Sequence, residues 1–234
     1  TALVAQPSLE DKILPPAGMV SGQLDNGLSY MLMHNASPSD MVECRLIFRA
    51  GSVLEDSTNR GAAHFLEHMA FGGTRHFPGH KLVDCLESMG AQYGIGINAY
   101  TGYDRTIYMF TIPSEKQSYL DDALLIMKDW LTDMELSEDK VEAEKGIIIE
   151  ELRGYDTGDA FYDLKIGIGR YSRGIPLGTE NDIRKISSRT LKDFHDKWYT
   201  LSQATIVLVG DIDTAETEKL IRRRFGRLKK TESP

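Results

Sequence analysis

Within the run Gly61-Ala62-Ala63-His64-Phe65-Leu66-Glu67-His68-Met69, two histidines stand four residues apart with a glutamate between them. On a helix, residues four apart lie one turn apart on the same face, so His64 and His68 would present both imidazoles to one point. Two imidazoles at that spacing can hold a single metal ion without distorting the backbone. Glu67, three residues after His64, reaches the same face, where its carboxylate can accept a proton from a water brought against the metal. A catalytic metal site needs a third protein ligand and one open position. The densest acidic stretch, Val141-Glu142-Ala143-Glu144-Lys145-Gly146-Ile147-Ile148-Ile149-Glu150-Glu151-Leu152, offers Glu144, Glu150 and Glu151. Glu144 and Glu151, seven apart, share a helix face two turns apart, so one can bind a metal while the other hydrogen-bonds a neighbouring group. His76 and His80 are also four apart, but Pro78-Gly79 breaks a shared helix. His34 and His195 stand alone, and no serine or cysteine sits in a nucleophile motif.

The flanks make the motif specific. Gly51-Ser52-Val53-Leu54-Glu55 precedes it, and Ala70-Phe71-Gly72-Gly73-Thr74 closes it. With these flanks the chain resembles the pitrilysin/insulysin family of zinc metallopeptidases, the inverzincins, which includes mitochondrial processing peptidase. The likeness runs from the Asn26-Gly27 turn to Val209-Gly210-Asp211, and the run Met69 to Gly79 is similar to bacterial zinc proteases of the cell envelope. That resemblance implies zinc as the cofactor, His64 and His68 as ligands and Glu67 as the catalytic base. Glu144-Lys145 followed by Glu151-Leu152 resembles the family's Glu-Arg-x-x-x-x-x-Glu helix, which implies Glu151 as the third ligand and Glu144 as its support. Asn98-Ala99-Tyr100-Thr101 resembles the family's Asn-Ala-x-Thr strand, implying that Asn98 and Ala99 contact an extended peptide through β-augmentation.

The resemblance further implies a zinc-dependent metalloendopeptidase domain that hydrolyses peptide bonds without a covalent intermediate. Family enzymes close a chamber from two or more homologous domains, so a second domain or subunit is the expected partner, and the chain alone is expected to hydrolyse little. A periplasmic or cell-envelope setting follows from the same likeness, with a cytoplasmic one left open. The alternative is a non-catalytic structural or substrate-binding subunit of the same fold. Against it, His64, Glu67 and His68 are all intact, and metal storage would not need Glu67.

The elements that must position these residues are legible in outline. Val20 to Leu24 and Leu28 to His34 flank Asp25-Asn26-Gly27, a strong hairpin signal. Met41 to Ala50 reads as a strand, Arg60 to Phe71 as the motif helix ended by Gly72-Gly73, and His80 to Met89 as an amphipathic helix. Tyr93 to Ile112 reads as a hairpin turning near Gly102. Helices are expected over Glu115 to Thr132, from a capped turn at Ser137 past Glu151, over Thr190 to Tyr199 and over Thr214 to Phe225, with a strand at Ala204 to Val209. The glycine-rich 154–185 stretch carries no clear pattern. Hairpins followed by helices and one more strand predict an α+β fold, a largely antiparallel sheet with helices packed on it. The expected organisation is an irregular lead-in over 1–17, a single domain of the pitrilysin/processing-peptidase type over 18–228 and a linker-like tail over 229–234.

Bulk properties narrow the classes. At 234 residues, 41% hydrophobic and 26% charged, the chain is long enough for a substantial core and has ordinary globular composition. A net charge of −8 argues against nucleic acid or anionic membrane as a partner, and no run reaches membrane-span length. The start, Thr1-Ala2-Leu3-Val4-Ala5, lacks an initiator Met and a basic apolar leader, so a trimmed chain is expected. Cys44, on a strand with Val42, Leu46 and Phe48, and Cys85, on a helix with Leu82, Leu86 and Met89, are expected to be buried free thiols.

Overall fold

The computed structural model describes residues 15–91, 94, 96–154 and 175–231. Most of the expected 1–17 lead-in, Tyr93, much of the glycine-rich 154–185 stretch and the end of the 229–234 tail lie outside these residues.

Among the described residues, six strands form one sheet: β1 (Met19–Gln23), β2 (Ser29–His34), β3 (Met41–Phe48), β4 (Ile97–Thr101), β5 (Thr106–Pro113) and β6 (Ala204–Gly210). Their order is β1-β2-β6-β3-β5-β4. Only the β2–β6 pair is parallel; every other pair is antiparallel, as the hairpin pattern predicts. The first turn forms at Asp25-Asn26-Gly27, and Asn26 does more than turn the chain. Its Oδ1 accepts the Leu28 N–H at 3.3 Å, and its Nδ2 donates to the Phe225 carbonyl at 2.8 Å, fastening the hairpin to the far end of the chain.

Seven helices accompany the sheet among these residues: α1 (Ala62–Met69), α2 (Lys81–Ser88), α3 (Gln117–Thr132), α4 (Glu138–Gly154), α5 (Glu180–Lys185), α6 (Ser188–Trp198) and α7 (Thr214–Phe225). The motif helix and the next one are shorter than the sequence pattern suggests. α5 falls in the stretch that patterning leaves unassigned. Its signal is a capping box, with the Asp182 N–H donating to Thr179 Oγ1 while Asp182 accepts from the Thr179 backbone.

The alternation of strand residues sets the core. Cys44, Leu46 and Phe48 of β3 point inward with Tyr108 and Phe110 of β5 and Ile206 and Leu208 of β6, all essentially without exposure. Trp130 of α3 closes this layer, its ring 4.8 Å from that of Tyr108. Its Nε1–H donates to the Ala70 carbonyl at 2.9 Å, tying α3 to the end of α1. α1 is itself sunk into the core, since Ala62, Ala63, Phe65, Leu66 and Met69 are all buried. A helix apolar on nearly every side has one way to lie, and only a narrow polar strip, itself largely covered at His64, is left over. Both cysteines are free, but Cys85 is only partly buried, contrary to expectation; Leu82 and Leu86 take the inner stripe of α2 and leave it at the margin.

Gly51 shows how tightly the loop before α1 is laid down. A Cβ there would stand 2.4 Å from the Gly102 carbonyl oxygen and 2.6 Å from that of Tyr103. The same strip is bonded by Ser52 N–H to Gly102 O at 3.2 Å and Val53 N–H to Tyr103 O at 2.8 Å. Backbone cannot move aside as a flexible side chain does. Gly51→Ala is therefore expected to lower stability by about 3 kcal/mol in urea unfolding, and an unchanged midpoint would show that this loop yields freely.

Candidate metal centre

The polar strip of α1 carries His64, Glu67 and His68, which the helix register places side by side; the two imidazole rings are 4.7 Å apart. The third group arrives on α4. Val141, Glu144, Ile148 and Glu151 follow one another at steps of three and four residues, so they form a single stripe along that helix. Val141 and Ile148 are buried. Burying them carries Glu144 and Glu151 onto α1. Lys140, in the first turn of α4, adds a tie by donating to the Gly72 carbonyl at 2.8 Å and pairing with Glu135.

Glu151 Oε2 lies 3.1 Å from His68 Nε2 and 3.6 Å from His64 Nε2. Ligand-capable atoms of these three residues all fall within 4.8 Å of one another, the one such group among the described residues. Glu144 approaches from the other side of His68, its Oε1 2.9 Å from Nδ1. A carboxylate there accepts Nδ1–H and leaves Nε2 with a free lone pair aimed at the convergence point. His64 lacks such an orienter: its Nδ1 is buried without a hydrogen-bond partner among the described residues. Glu150 is turned away into an exposed ion pair with Arg153. Two imidazole nitrogens and one carboxylate oxygen around a point are a donor set suited to a zinc ion.

Glu67 is fixed by a residue that sequence reasoning passed over. Thr101 Oγ1, on β4, donates to Glu67 Oε2. The link needs β4 to lie beside α1, which no local pattern reveals. Burial raises the Glu67 carboxyl above its ordinary pKa and Glu151 adds to this, while the Thr101 hydroxyl and His68 act against it.

β4 is one of the two edge strands, paired only with β5 among the described residues, with Asn98 exposed and Ala99 half-buried. Between this strand and α4 runs a cleft of about 550 Å³ lined by Glu67, His68, Phe71, Asn98, Ala99 and Ile147, among others. Of the remaining histidines, His80 also lines the cleft but is not among the residues that converge on one point. His76 Nδ1 pairs with the fully buried Asp129 at 2.8 Å, and His195 is buried with Nε2 3.3 Å from the Trp130 carbonyl.

The two site histidines are driven in opposite directions. Burial lowers the His64 pKa to about 3, with the neighbouring His68 adding to the effect. Burial also works to lower His68, but its hydrogen bond to Glu144 and the charges of Glu144, Glu151 and Glu67 outweigh that and raise it.

The family model described as insulinase (peptidase family M16) matches residues 30–162, more than half the chain, and a second model, the peptidase M16 inactive domain, matches residues 185–234. The chain is 34% identical over 215 residues to the probable zinc protease PqqL of Escherichia coli, covering 90% of this chain and 23% of that protein. It is 37% identical over 218 residues to the zinc protease PQQL-like of Arabidopsis thaliana, covering 91% and 23% respectively. It thus spans about a quarter of the length of these curated relatives. The crystal structure of the first half of the periplasmic protease PqqL from Escherichia coli superposes with a TM-score of 0.88 at 33% identity, over 93% of this chain and 47% of that one.

The histidine pKa values have a measurable consequence in metal-free protein. His64 stays neutral in the fold below pH 6.5, where an unfolded histidine is protonated, so the unfolded chain binds more protons and stability falls as pH drops from 6.5 towards 3. Between pH 6.5 and 5 this amounts to about 2 kcal/mol. His68 has the other sign: its raised pKa contributes stability that is complete below 6.5 and is lost as pH rises through the folded value. Urea unfolding should accordingly show the stability of the parent relative to His64→Gln falling by about 2 kcal/mol between pH 6.5 and 5, a difference in which the carboxyl groups common to both proteins cancel; a pH-independent difference would mean that His64 is not held neutral.

Proposed function

Because the chain belongs to the insulinase (peptidase M16) family, we propose that it is the metal-bearing domain of a zinc-dependent endopeptidase that hydrolyses peptide bonds in extended peptides. The observation that carries this reading is the convergence of His64, His68 and Glu151 within 4.8 Å beside the Glu67 carboxylate. His64 and His68 would hold zinc through Nε2 and Glu151 through Oε2. A zinc ion held by these residues would supply Lewis-acid chemistry, lowering the pKa of a water and stabilising negative charge on a carbonyl oxygen.

Glu67 is the base in this reading. Its carboxylate lines the cleft beside His68, where a positioned base can take a proton from an attacking water. It would accept the proton of that water and then deliver it to the departing amine. Thr101 keeps the accepting oxygen in place from below. Glu144 holds His68 in the tautomer with Nε2 unprotonated. The edge of β4 away from β5, which no other described strand covers, offers backbone groups to a peptide laid along it at Asn98 and Ala99, the Ala99 N–H exchanging its 2.8 Å bond to Asn98 Oδ1 for one to the peptide, and the cleft receives side chains.

The partner in this reading is a second domain of the same fold that closes over the cleft. Its support is the relatives' length, about four times the span matched here, together with the openness of β4. A periplasmic or cell-envelope setting is supported by the periplasmic relative from Escherichia coli. Among the described residues no helix is long and apolar enough to cross a membrane.

The test is Glu67→Gln in the longest natural form of the protein. That variant should bind one zinc per site as the parent does and lose peptide hydrolysis by about 1,000-fold, since a positioned base typically contributes about 10²–10⁴-fold. Retained turnover would reject Glu67 as the base, and a zinc-free parent would reject the site.

A further inference from the structure

The start of α1 has an unusual means of support. Gly61 occupies the cap position at φ 84° and has no side chain with which to satisfy the helix's free N–H groups. A side chain there would strike Ile183 Cδ1 at 2.7 Å and crowd the Leu177 carbonyl at 3.1 Å, so an ordinary Ser, Thr or Asp cap is shut out. The missing acceptors come from six residues upstream. Glu55 Oε2 accepts the Gly61 N–H at 2.8 Å, and Glu55 Oε1 accepts the Ala63 N–H at 2.9 Å.

We propose that Glu55 is a positioning residue for the metal centre, setting the turn of α1 from which His64 projects. The inference rests on the reading of His64, His68 and Glu151 as zinc ligands. α1 has only eight residues, too few to be stable by itself, and His64 is the third of them. It lies in the turn that the carboxylate clamps, immediately after Ala63. Because no hydrogen bond among the described residues holds His64 Nδ1, and Glu151 stands 3.6 Å from Nε2, the ring's direction depends chiefly on the backbone that carries it. His68 differs, since Glu144 fixes it from outside the helix. Loss of the Glu55 clamp therefore falls on one ligand of the three.

The clamp is itself built to be stiff. Glu55 follows the 3-10 turn Ser52–Leu54, and its N–H bonds the Ser52 carbonyl at 3.1 Å. The connecting residues close on themselves, with Asp56 Oδ1 accepting the Thr58 N–H at 2.8 Å and Asn59 Oδ1 accepting the Asp56 N–H at 2.7 Å. Burial pushes the Glu55 carboxyl up to about 8, whereas the Ala63 and Gly61 amides favour its anion.

The experiment compares Glu55→Gln and Glu55→Ala with the parent in zinc affinity, measured against a chromophoric chelator, and in the visible spectrum of the cobalt-substituted protein. Glu55→Gln keeps the shape and one acceptor, so it reports even if Glu55→Ala does not fold. Both variants are expected to bind zinc roughly 10- to 100-fold more weakly, the usual effect of removing an outer support of a metal ligand. The cobalt spectrum should change in Glu55→Gln while its far-ultraviolet circular dichroism does not. A Glu55→Gln variant with parental zinc affinity and cobalt spectrum would overturn the inference and leave the ligand assignment standing. A parent that takes up no zinc, or a Glu151→Gln variant that binds as well as the parent, would remove the assignment and this inference together.

Discussion

Everything at this site depends on two helices being pressed together along a mixed stripe. α4 buries Val141 and Ile148, and the same stripe carries Glu144 and Glu151. The apolar contacts have no direction of their own, yet their spacing decides where two carboxylates end up, 76 and 83 residues along the chain from His68. Lys140 against the Gly72 carbonyl and Glu135 limits sliding along the contact. A shift of α4 by one residue would turn the acidic stripe by about 100° and leave the imidazoles facing other groups. Hydrophobic burial supplies the force here, and helical periodicity converts it into geometry.

That geometry is electrostatically expensive without a cation. Glu67, Glu144 and Glu151 crowd one partly buried patch, and the consequences are visible in the raised carboxyl of Glu67, the raised His68 and the neutral His64. Such opposed shifts within a few ångströms are typical of functional sites, where groups are held in states they would not choose in water. The remainder of the domain absorbs the cost. α1 is enclosed by Phe65, Leu66 and Met69, fastened at its far end by Trp130 to the Ala70 carbonyl and at its near end by Glu55.

The outline of the fold was readable because its strongest signals are local. Asp25-Asn26-Gly27 predicts its own hairpin, and period-two and period-3.6 patterns predict β3, α3 and α7 to within a few residues. The pair His64 and His68 needs only helical spacing. Glu151 is a different matter: helical spacing pairs it with Glu144 without choosing between them, and in the sequence only the resemblance to the family's Glu-Arg-x-x-x-x-x-Glu helix points to Glu151. Glu144 turns to His68 Nδ1, Glu151 to both Nε2 atoms, and Glu150 to Arg153. Thr101 and Glu55 were out of reach for the same reason, since each acts across a tertiary contact. α5 was within reach, through the Thr179 and Asp182 capping box, and was missed because glycine-rich surroundings masked it.

The central claim is that one zinc ion is bound by two imidazoles of a single helical turn and one carboxylate of a distant helix. X-ray absorption at the zinc edge of the loaded chain addresses it most directly. The account predicts nitrogen and oxygen scatterers alone at about 2.0–2.1 Å, with the multiple-scattering signature of two imidazoles. A sulfur shell at about 2.3 Å, or a signal with one imidazole or none, would contradict it.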